Sequence, residues 1–458
     1  MSDTAILTDE QRQSHNRLLW LTAAILGAIF FYKNHSLTVS QYEMWVPWTD
    51  GENFKTAGGN VLKGLALSLT AVLGGFLLVR KEGQRLRLGS PLGVLIIVYF
   101  LWCGTSVLWS IDRGATVRHM AVFTFCFIAA IGIARQFRPR DIVLMTVIVY
   151  SGYFLIGVVC EFGLGTFRPW AAGYRFAGTL HPNAQGANLG LLCVAAFTLS
   201  RTVEARHRRR LLALVAVAFL FLLLTKSRTS AAACLAAGCA VWCLDVSPRA
   251  RVVSGVGTAW IAGFAALLAL ILGYDVINDV TEAAMLGRGE ESMALTGRIP
   301  IWTELMRYVW ERPLAGYGYE AFWTEWHIED LSEQLHWVFR EAHSTYVETL
   351  LGVGIVGAIL LSMTVLTALW VAAVRHRQTG DPACAFVFGF IVFLMTTGVM
   401  ESGSVIASFE TTMAGSAMAM LAFRRDILAT SAEQLTTREK WDPPAHRLTV
   451  AGEPSMPG

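Results

Sequence analysis

The feature that most constrains this chain is a series of apolar segments, each near the length that a helix needs to cross a bilayer, roughly 20 residues. The chain is 54% hydrophobic and only 16% charged, whereas a soluble protein carries about 25% charged residues. The sequence therefore predicts an all-α, polytopic integral membrane protein with about 12 transmembrane helices. The predicted spans are residues 18–32, 61–79, 91–109, 116–134, 141–162, 184–200, 211–225, 229–245, 253–273, 346–374, 385–400 and 404–423.

The distribution of basic residues predicts how these spans are oriented. Lys and Arg concentrate in cytoplasmic connections, and 23 of the 37 basic residues lie in the alternate connections that include both termini. We therefore expect both termini to be cytoplasmic. The long connection 274–344 then lies on the extracytoplasmic side.

The predicted spans divide the chain into four parts. Residues 1–273 hold the first nine transmembrane helices, and residues 345–425 hold the last three. Residues 274–344 form an extracytoplasmic loop before the tenth span, in which five Trp residues predict interfacial helices. Residues 426–458 are polar and contain several prolines, which predicts a disordered cytoplasmic tail.

Charge and ligand patterns argue against several other classes of function. A net charge of +3 gives no electrostatic footprint for nucleic acid. All eight cysteines lie in or beside apolar segments, and His181 and His343 are far apart in sequence. We therefore expect neither a metal site nor a cofactor.

The informative charges are those that the topology does not explain, because a charge inside a span or on the sparsely basic side needs a partner or a site. Arg175 and His181 lie in YRFAGTLHPNAQGAN, at a turn before the sixth span, where free helix N–H groups favour an anion. Lys226 and Arg228 join two spans almost without a loop, and Arg298 follows a glycine in TGRIPIW. Each also fits a simpler interpretation, an interfacial side chain that snorkels to the headgroups.

The segment ERPLAGYGYEAFW places two aromatic rings beside a turn. Gly316 and Gly318 allow a tight turn, while Tyr317 and Tyr319 offer faces suited to a sugar ring. The alternative is that both tyrosines belong to an interfacial aromatic belt.

His343 lies just ahead of the tenth predicted span, and Glu348 lies inside its start. On a regular helix the two residues would point about 140° apart, so a direct pair requires His343 to precede the first turn and fold back. In that case the carboxylate would raise the basicity of the imidazole, as a general base needs. The alternative for His343 is a helix cap or an interfacial residue.

A cluster of Arg and Lys with one His at the membrane boundary suits a substrate that carries phosphate or pyrophosphate at headgroup level. No nucleotide-binding fingerprint follows a strand–turn–helix pattern in this sequence. The activated donor is therefore expected to be carried by a lipid.

The same residues carry a family resemblance. From Gly173 to Gly357 the chain resembles the O-antigen ligase and polymerase superfamily, and TGRIPIWTEL with GYGYEAFW resembles ExoQ-type exopolysaccharide polymerases. The motifs, in the order of the family, are R-x-x-G-T-x-H-P-N, S-R-[ST], T-G-R-x-x-x-W, P-L-x-G-Y-G, H-[SN]-x-x-x-E and G-x-x-G.

The resemblance implies an inverting, metal-independent glycosyltransferase of C-type architecture at the outer, periplasmic face of the bacterial inner membrane. The implied donor is a glycan on undecaprenyl pyrophosphate, and the acceptor is a lipid-linked glycan or lipid A–core. Membrane lipids, a flippase and a chain-length regulator are the other expected partners.

The resemblance also assigns roles to residues. His343 resembles the catalytic base and Glu348 the acidic position of the same motif, while Arg228 and Arg298 match arginines expected to bind pyrophosphate. Arg175 and His181 fall on the matching outer motif, and position alone adds Lys226.

Three functions remain open at this point. A repeat-unit polymerase is favoured by the GYGYEAFW block, and an O-antigen ligase that uses the same donor is the alternative. A transporter or lipid-linked sugar flippase is the third, although it would place charges along a path through both leaflets.

Overall fold

The structure, a computed structural model, describes residues 9–37, 61–171, 173–246, 293–335, 340–402 and 407–424. In these ranges the chain forms thirteen α-helices and no β-strand. The predicted ninth span, Trp337 and the predicted tail 426–458 lie outside the described residues. The helices are α1 (Asp9–Asn34), α2 (Val61–Val79), α3 (Pro91–Thr105), α4 (Arg113–Gln136), α5 (Pro139–Gly163), α6 (Pro182–Ser200), α7 (Ala205–Leu224), α8 (Arg228–Asp245), α9 (Met293–Glu311), α10 (Glu325–Leu335), α11 (Thr345–Thr379), α12 (Pro382–Thr397) and α13 (Phe409–Phe423).

The described helices confirm the predicted class, an all-helical multi-pass membrane protein. Helices occur at eleven of the twelve predicted spans. Five of them are long and apolar enough to cross a membrane, namely α2, α3 with the turn that follows it, α4, α5 and α11, and α12 is a shorter apolar helix.

Contacts between helix termini define the two ends of the bundle. Near the start of α8, Ser230 Oγ lies 3.4 Å from the carbonyl of Asn183 at the start of α6. The chain after α1 reaches the same region, where Ser36 N donates to the carbonyl of Thr179 at 2.9 Å. We call this region, where α1 ends and α6, α8 and α11 begin, the site end.

The loop helices α9 and α10 pack around an apolar core of their own at the site end. This core contains Ile301, Leu305, Tyr308, Phe322 and Leu331, and it includes Leu351 of α11. The loop is therefore built onto the first turns of α11.

A break in α11 receives the glycine-containing turn of the loop. Gly354 has φ 67° and ψ −172°, which interrupts the helical hydrogen bonds. The carbonyl of Leu351 accepts from Tyr317 N at 2.8 Å, and that of Gly352 accepts from Gly318 N at 2.9 Å. A Cβ at Gly354 would lie 2.3 Å from the carbonyl oxygen of Leu314, so only glycine fits there.

Candidate active site

The candidate site is a network of polar side chains contributed by five segments of the site end. These are the loop before α6, the turn before α8, helix α9, the residues before α11 and the connection after α12. Charges from distant parts of the sequence meet there because the helix termini that carry them share one end.

A buried carboxylate accepts hydrogen bonds from the loop before α6. Glu161, at the end of α5, is 3% exposed. Its Oε1 accepts from Ala177 N and Gly178 N, each at 2.8 Å, and its Oε2 accepts from the hydroxyl of Tyr174 at 2.5 Å. Glu161 therefore fixes the segment that carries Arg175 and His181.

Arg175 links this loop to the turn before α8 and to the start of α6. Its Nε donates to the carbonyl of Thr225 at 2.8 Å, and its Nη2 donates to Asn183 Oδ1 at 2.6 Å. His181 is the exposed N-cap of α6, where its Nδ1 lies 3.3 Å from Asn183 N. The predicted turn ahead of a helix start is present.

Arg298 reaches the same network through a carboxylate. Its Nη2 lies 3.3 Å from Glu401 Oε1, which also accepts from Asn183 Nδ2 at 3.0 Å. Burial raises the pKa of Glu401 above its ordinary value, against the opposing effects of Arg298 and His343. Glu401 thus joins two of the predicted arginines, Arg298 directly and Arg175 through Asn183.

The predicted base precedes α11 in a strained conformation. His343 has φ 50°, a left-handed conformation that is uncommon for a residue other than glycine. Its Nδ1 lies 3.0 Å from Glu341 Oε1, a contact of ion-pair length without the alignment of a hydrogen bond. The carboxylate beside His343 is therefore Glu341, not Glu348.

The electrostatics of Glu341 connect His343 to the rest of the site. Burial alone would raise the pKa of Glu341, but His343, Arg298 and His181 outweigh it, so this pKa lies below its ordinary value. The carboxylate of Glu341 therefore lies close enough to all three side chains to interact with them.

Glu348 anchors the segment that carries His343. Its Oε1 accepts from Ala342 N at 2.5 Å, and its Oε2 accepts from Trp323 Nε1 at 3.0 Å. Glu348 therefore binds the backbone of Ala342, next to His343. This contact forms because the chain before α11 folds back over the first turn of the helix.

Lys226 and Arg228 lie on the turn between α7 and α8, and both side chains are half-buried. Lys226 has φ 52°, and Arg228 is the first residue of α8. The carbonyl of the adjacent Thr225 accepts from Arg175. The backbone of this turn is thereby in direct contact with the site.

The two tyrosines of the turn have different environments. Tyr317 is only 4% exposed, and its hydroxyl donates to Glu311 Oε2 at 2.9 Å within the loop core. Tyr319 stacks on Phe123 with ring centroids 5.5 Å apart. Tyr317 has a packing role here, because its backbone N binds the carbonyl of Leu351 beside the break at Gly354.

Sequence reasoning missed three carboxylates, Glu161, Glu341 and Glu401. The rule applied to Glu348, that a carboxylate at the edge of a span needs a partner, would have found Glu161 and Glu401. Glu341 had no such signal, because only the fold shows which carboxylate reaches His343. No group of three or more potential metal ligands occurs within the described ranges.

Part of the chain that contributes to this site matches a known protein family. The family described as O-Antigen ligase matches residues 212–362, which include Arg228, Arg298 and His343. The "Exopolysaccharide production protein ExoQ" of Rhizobium meliloti (strain 1021) is 28% identical over 147 residues, covering 29% of this chain and 34% of that protein. The chain thus spans about a third of the length of this curated relative. Residues 212–362 of the chain are thus similar to the O-antigen ligase family.

Proposed function

We propose that the protein is a polysaccharide repeat-unit polymerase, an inverting glycosyltransferase with a C-type architecture. It transfers a glycan from undecaprenyl pyrophosphate to a lipid-linked acceptor. The observation that carries the proposal is the network in which Glu401, Asn183 and Glu341 bring Arg298, Arg175 and His343 together. The similarity of residues 212–362 to the O-antigen ligase family and to the exopolysaccharide production protein supports polysaccharide biosynthesis at a membrane.

The arginines bind the pyrophosphate of the donor. Arginine forms bidentate, permanently charged contacts with phosphate oxygens. Arg298 exchanges its 3.3 Å contact with Glu401 for a phosphate oxygen, while Arg228 and Lys226 approach from the turn before α8. These cations stabilise the charge that develops on the leaving pyrophosphate.

His343 takes the proton of the acceptor. The acceptor hydroxyl oxygen forms a bond to the anomeric carbon of the donor, and its proton passes to Nε2 because Nδ1 faces Glu341. The bond from the anomeric carbon to the phosphate oxygen breaks, and its electron pair leaves with undecaprenyl pyrophosphate. Attack opposite to the leaving group inverts the anomeric centre.

The topology of the proposal follows from the charge distribution. With the twelve spans predicted from the sequence, both termini lie in the cytoplasm and the site end lies at the periplasmic face of the inner membrane. The donor then arrives from a flippase, and a chain-length regulator acts on the growing polymer.

An O-antigen ligase is the second candidate, because the matching family carries that description. Both functions use the same donor chemistry, so deletion of the gene and analysis of surface glycans separate them. A polymerase predicts loss of high-molecular-weight exopolysaccharide. A ligase predicts core-only lipopolysaccharide with accumulated lipid-linked polymer, and unchanged glycans would contradict both.

A further inference from the structure

A cavity of about 770 Å³ lies beside the arginine network, within the helical bundle. Helices α4, α11, α12 and α13 form most of its wall. Helix α11 contributes one face, with Ala358, Leu361, Ser362, Val365 and Leu366 spaced as neighbours along a single side of a helix. The cavity runs along α4 from His119 to Ala130, about 16 Å of helix.

The cavity has a polar end and an apolar end. The polar end is at the site end, where Lys33, Tyr319 and the ion pair of His119 with Glu320 line the wall. Deeper in the bundle the lining residues are almost all apolar, including Phe127, Ile391 and Met418. This arrangement matches a molecule with an apolar chain and a polar head.

The connection after α12 separates the cavity from the arginine network. Gly398 lines the cavity, whereas Glu401 contacts Arg298 and Asn183. Thr345, two residues after His343, lines the cavity and donates from its backbone N to the carbonyl of Gly398 at 2.9 Å. The predicted base therefore lies between the two compartments.

We propose that this cavity holds the lipid chain of the acceptor, a polyprenyl chain with a phosphate head. The inference rests on the proposed function, which requires two lipid-linked substrates on opposite sides of one base. The arginine network receives the donor pyrophosphate, and Lys33 and His119 lie at the end where the phosphate of a second lipid would be placed. An apolar space of this volume gains packing contacts when a chain fills it.

The experiment measures binding of undecaprenyl phosphate to the purified full-length protein by native mass spectrometry. Ala358→Trp fills part of the cavity and is expected to lower binding at least about tenfold, a loss of about 1.4 kcal/mol. Ile359→Trp is the matched control, because Ile359 is 52% exposed on the same helix and does not line the cavity. Ser362→Trp, one turn further along, repeats the test if Ala358→Trp does not fold.

Equal binding of undecaprenyl phosphate by the wild type and the cavity variant would overturn the inference. Competition by phosphatidylglycerol at equal concentration would also overturn it, because the cavity would then be an ordinary lipid site. The proposed function is judged separately, by surface glycans after gene deletion. Polymer production that survives Ala358→Trp in the same strain would reject the cavity assignment and leave the polymerase intact.

Discussion

The two ends of the bundle each carry an ionic cluster, and the clusters differ in how closely their charges are paired. At the end opposite the site, His376 Nε2 lies 2.6 Å from Asp245 Oδ1, and Arg201 pairs with the other oxygen of Asp245. The second ring nitrogen of His376 lies 2.9 Å from the carbonyl of Asp381. Both nitrogens of this histidine therefore have oxygen partners within the protein.

The cluster of Arg298, Glu401, Glu341 and His343 at the site end is more loosely paired. Arg298 lies 3.3 Å from Glu401, and His343 contacts Glu341 without hydrogen-bond alignment. The side chain of His343 is 27% exposed, against 7% for His376. A closely paired cluster stabilises the packing of helices. In a loosely paired cluster, less free energy is needed to replace a carboxylate by a ligand.

The largest expected effect separates the two histidines. His343→Ala should lower polymer formation by about 100-fold or more, the range for loss of a general base, at an unchanged protein level in the membrane. His376→Ala should retain the activity per folded molecule and lower the stability by about 1–3 kcal/mol. Polymer yield measures the effect on activity, and thermal unfolding in detergent measures the effect on stability. A wild-type yield of polymer from His343→Ala would show that His343 is not catalytic.

The second comparison is between Arg298 at the site end and Arg201 at the opposite end. Arg298→Lys should lower the initial rate by about tenfold or more, because an ammonium group does not reproduce the planar fork on a phosphate. Arg201→Lys is the matched control and should keep the rate within about twofold, since its partner is a carboxylate away from the site. Equal rates in the two variants would argue against bidentate contact by Arg298.

Glu161→Gln tests whether the loop before α6 must be held in place. The variant retains one carbonyl oxygen as the acceptor for three hydrogen-bond donors, so we expect the stability to fall by about 1–3 kcal/mol. We also expect a higher KM for the glycan donor, because Arg175 would be misplaced. Glu82→Gln is the control, because Glu82 is 67% exposed and pairs with Arg80 on the surface. A change in stability within about 0.5 kcal/mol is expected. An unchanged KM in Glu161→Gln would mean that Glu161 stabilises the fold but does not position Arg175 for the substrate.

The smallest expected effect concerns the pH dependence of stability. The pKa of Glu341 is lower in the folded protein than its ordinary value, so its contribution to stability is present above that value and is lost as the pH falls through the lower one. Glu341→Gln should therefore be less stable than the wild type at pH 7, and the difference should disappear in acid. A difference in stability that is as large in acid as at pH 7 would contradict this assignment.

The sequence predicted the membrane class, most helix positions and the residues with unexplained charge, because each of these depends on local composition or on sidedness. The turn at Gly316 and the helix start after His181 were likewise visible as local patterns. The pairings of Arg298 with Glu401 and of His343 with Glu341 were not, because they depend on how helix termini meet. Tyr317 was predicted to face a sugar, but the break at Gly354 buries it.

The most direct test of the central claim is release of undecaprenyl pyrophosphate by the purified protein in lipid nanodiscs supplied with undecaprenyl-pyrophosphate-linked repeat units. The wild type should release one molecule of undecaprenyl pyrophosphate for each new glycosidic bond, and His343→Ala should release it at least about 100-fold more slowly. Release and chain growth at the wild-type rate by His343→Ala would contradict the proposed glycosyl transfer at this site.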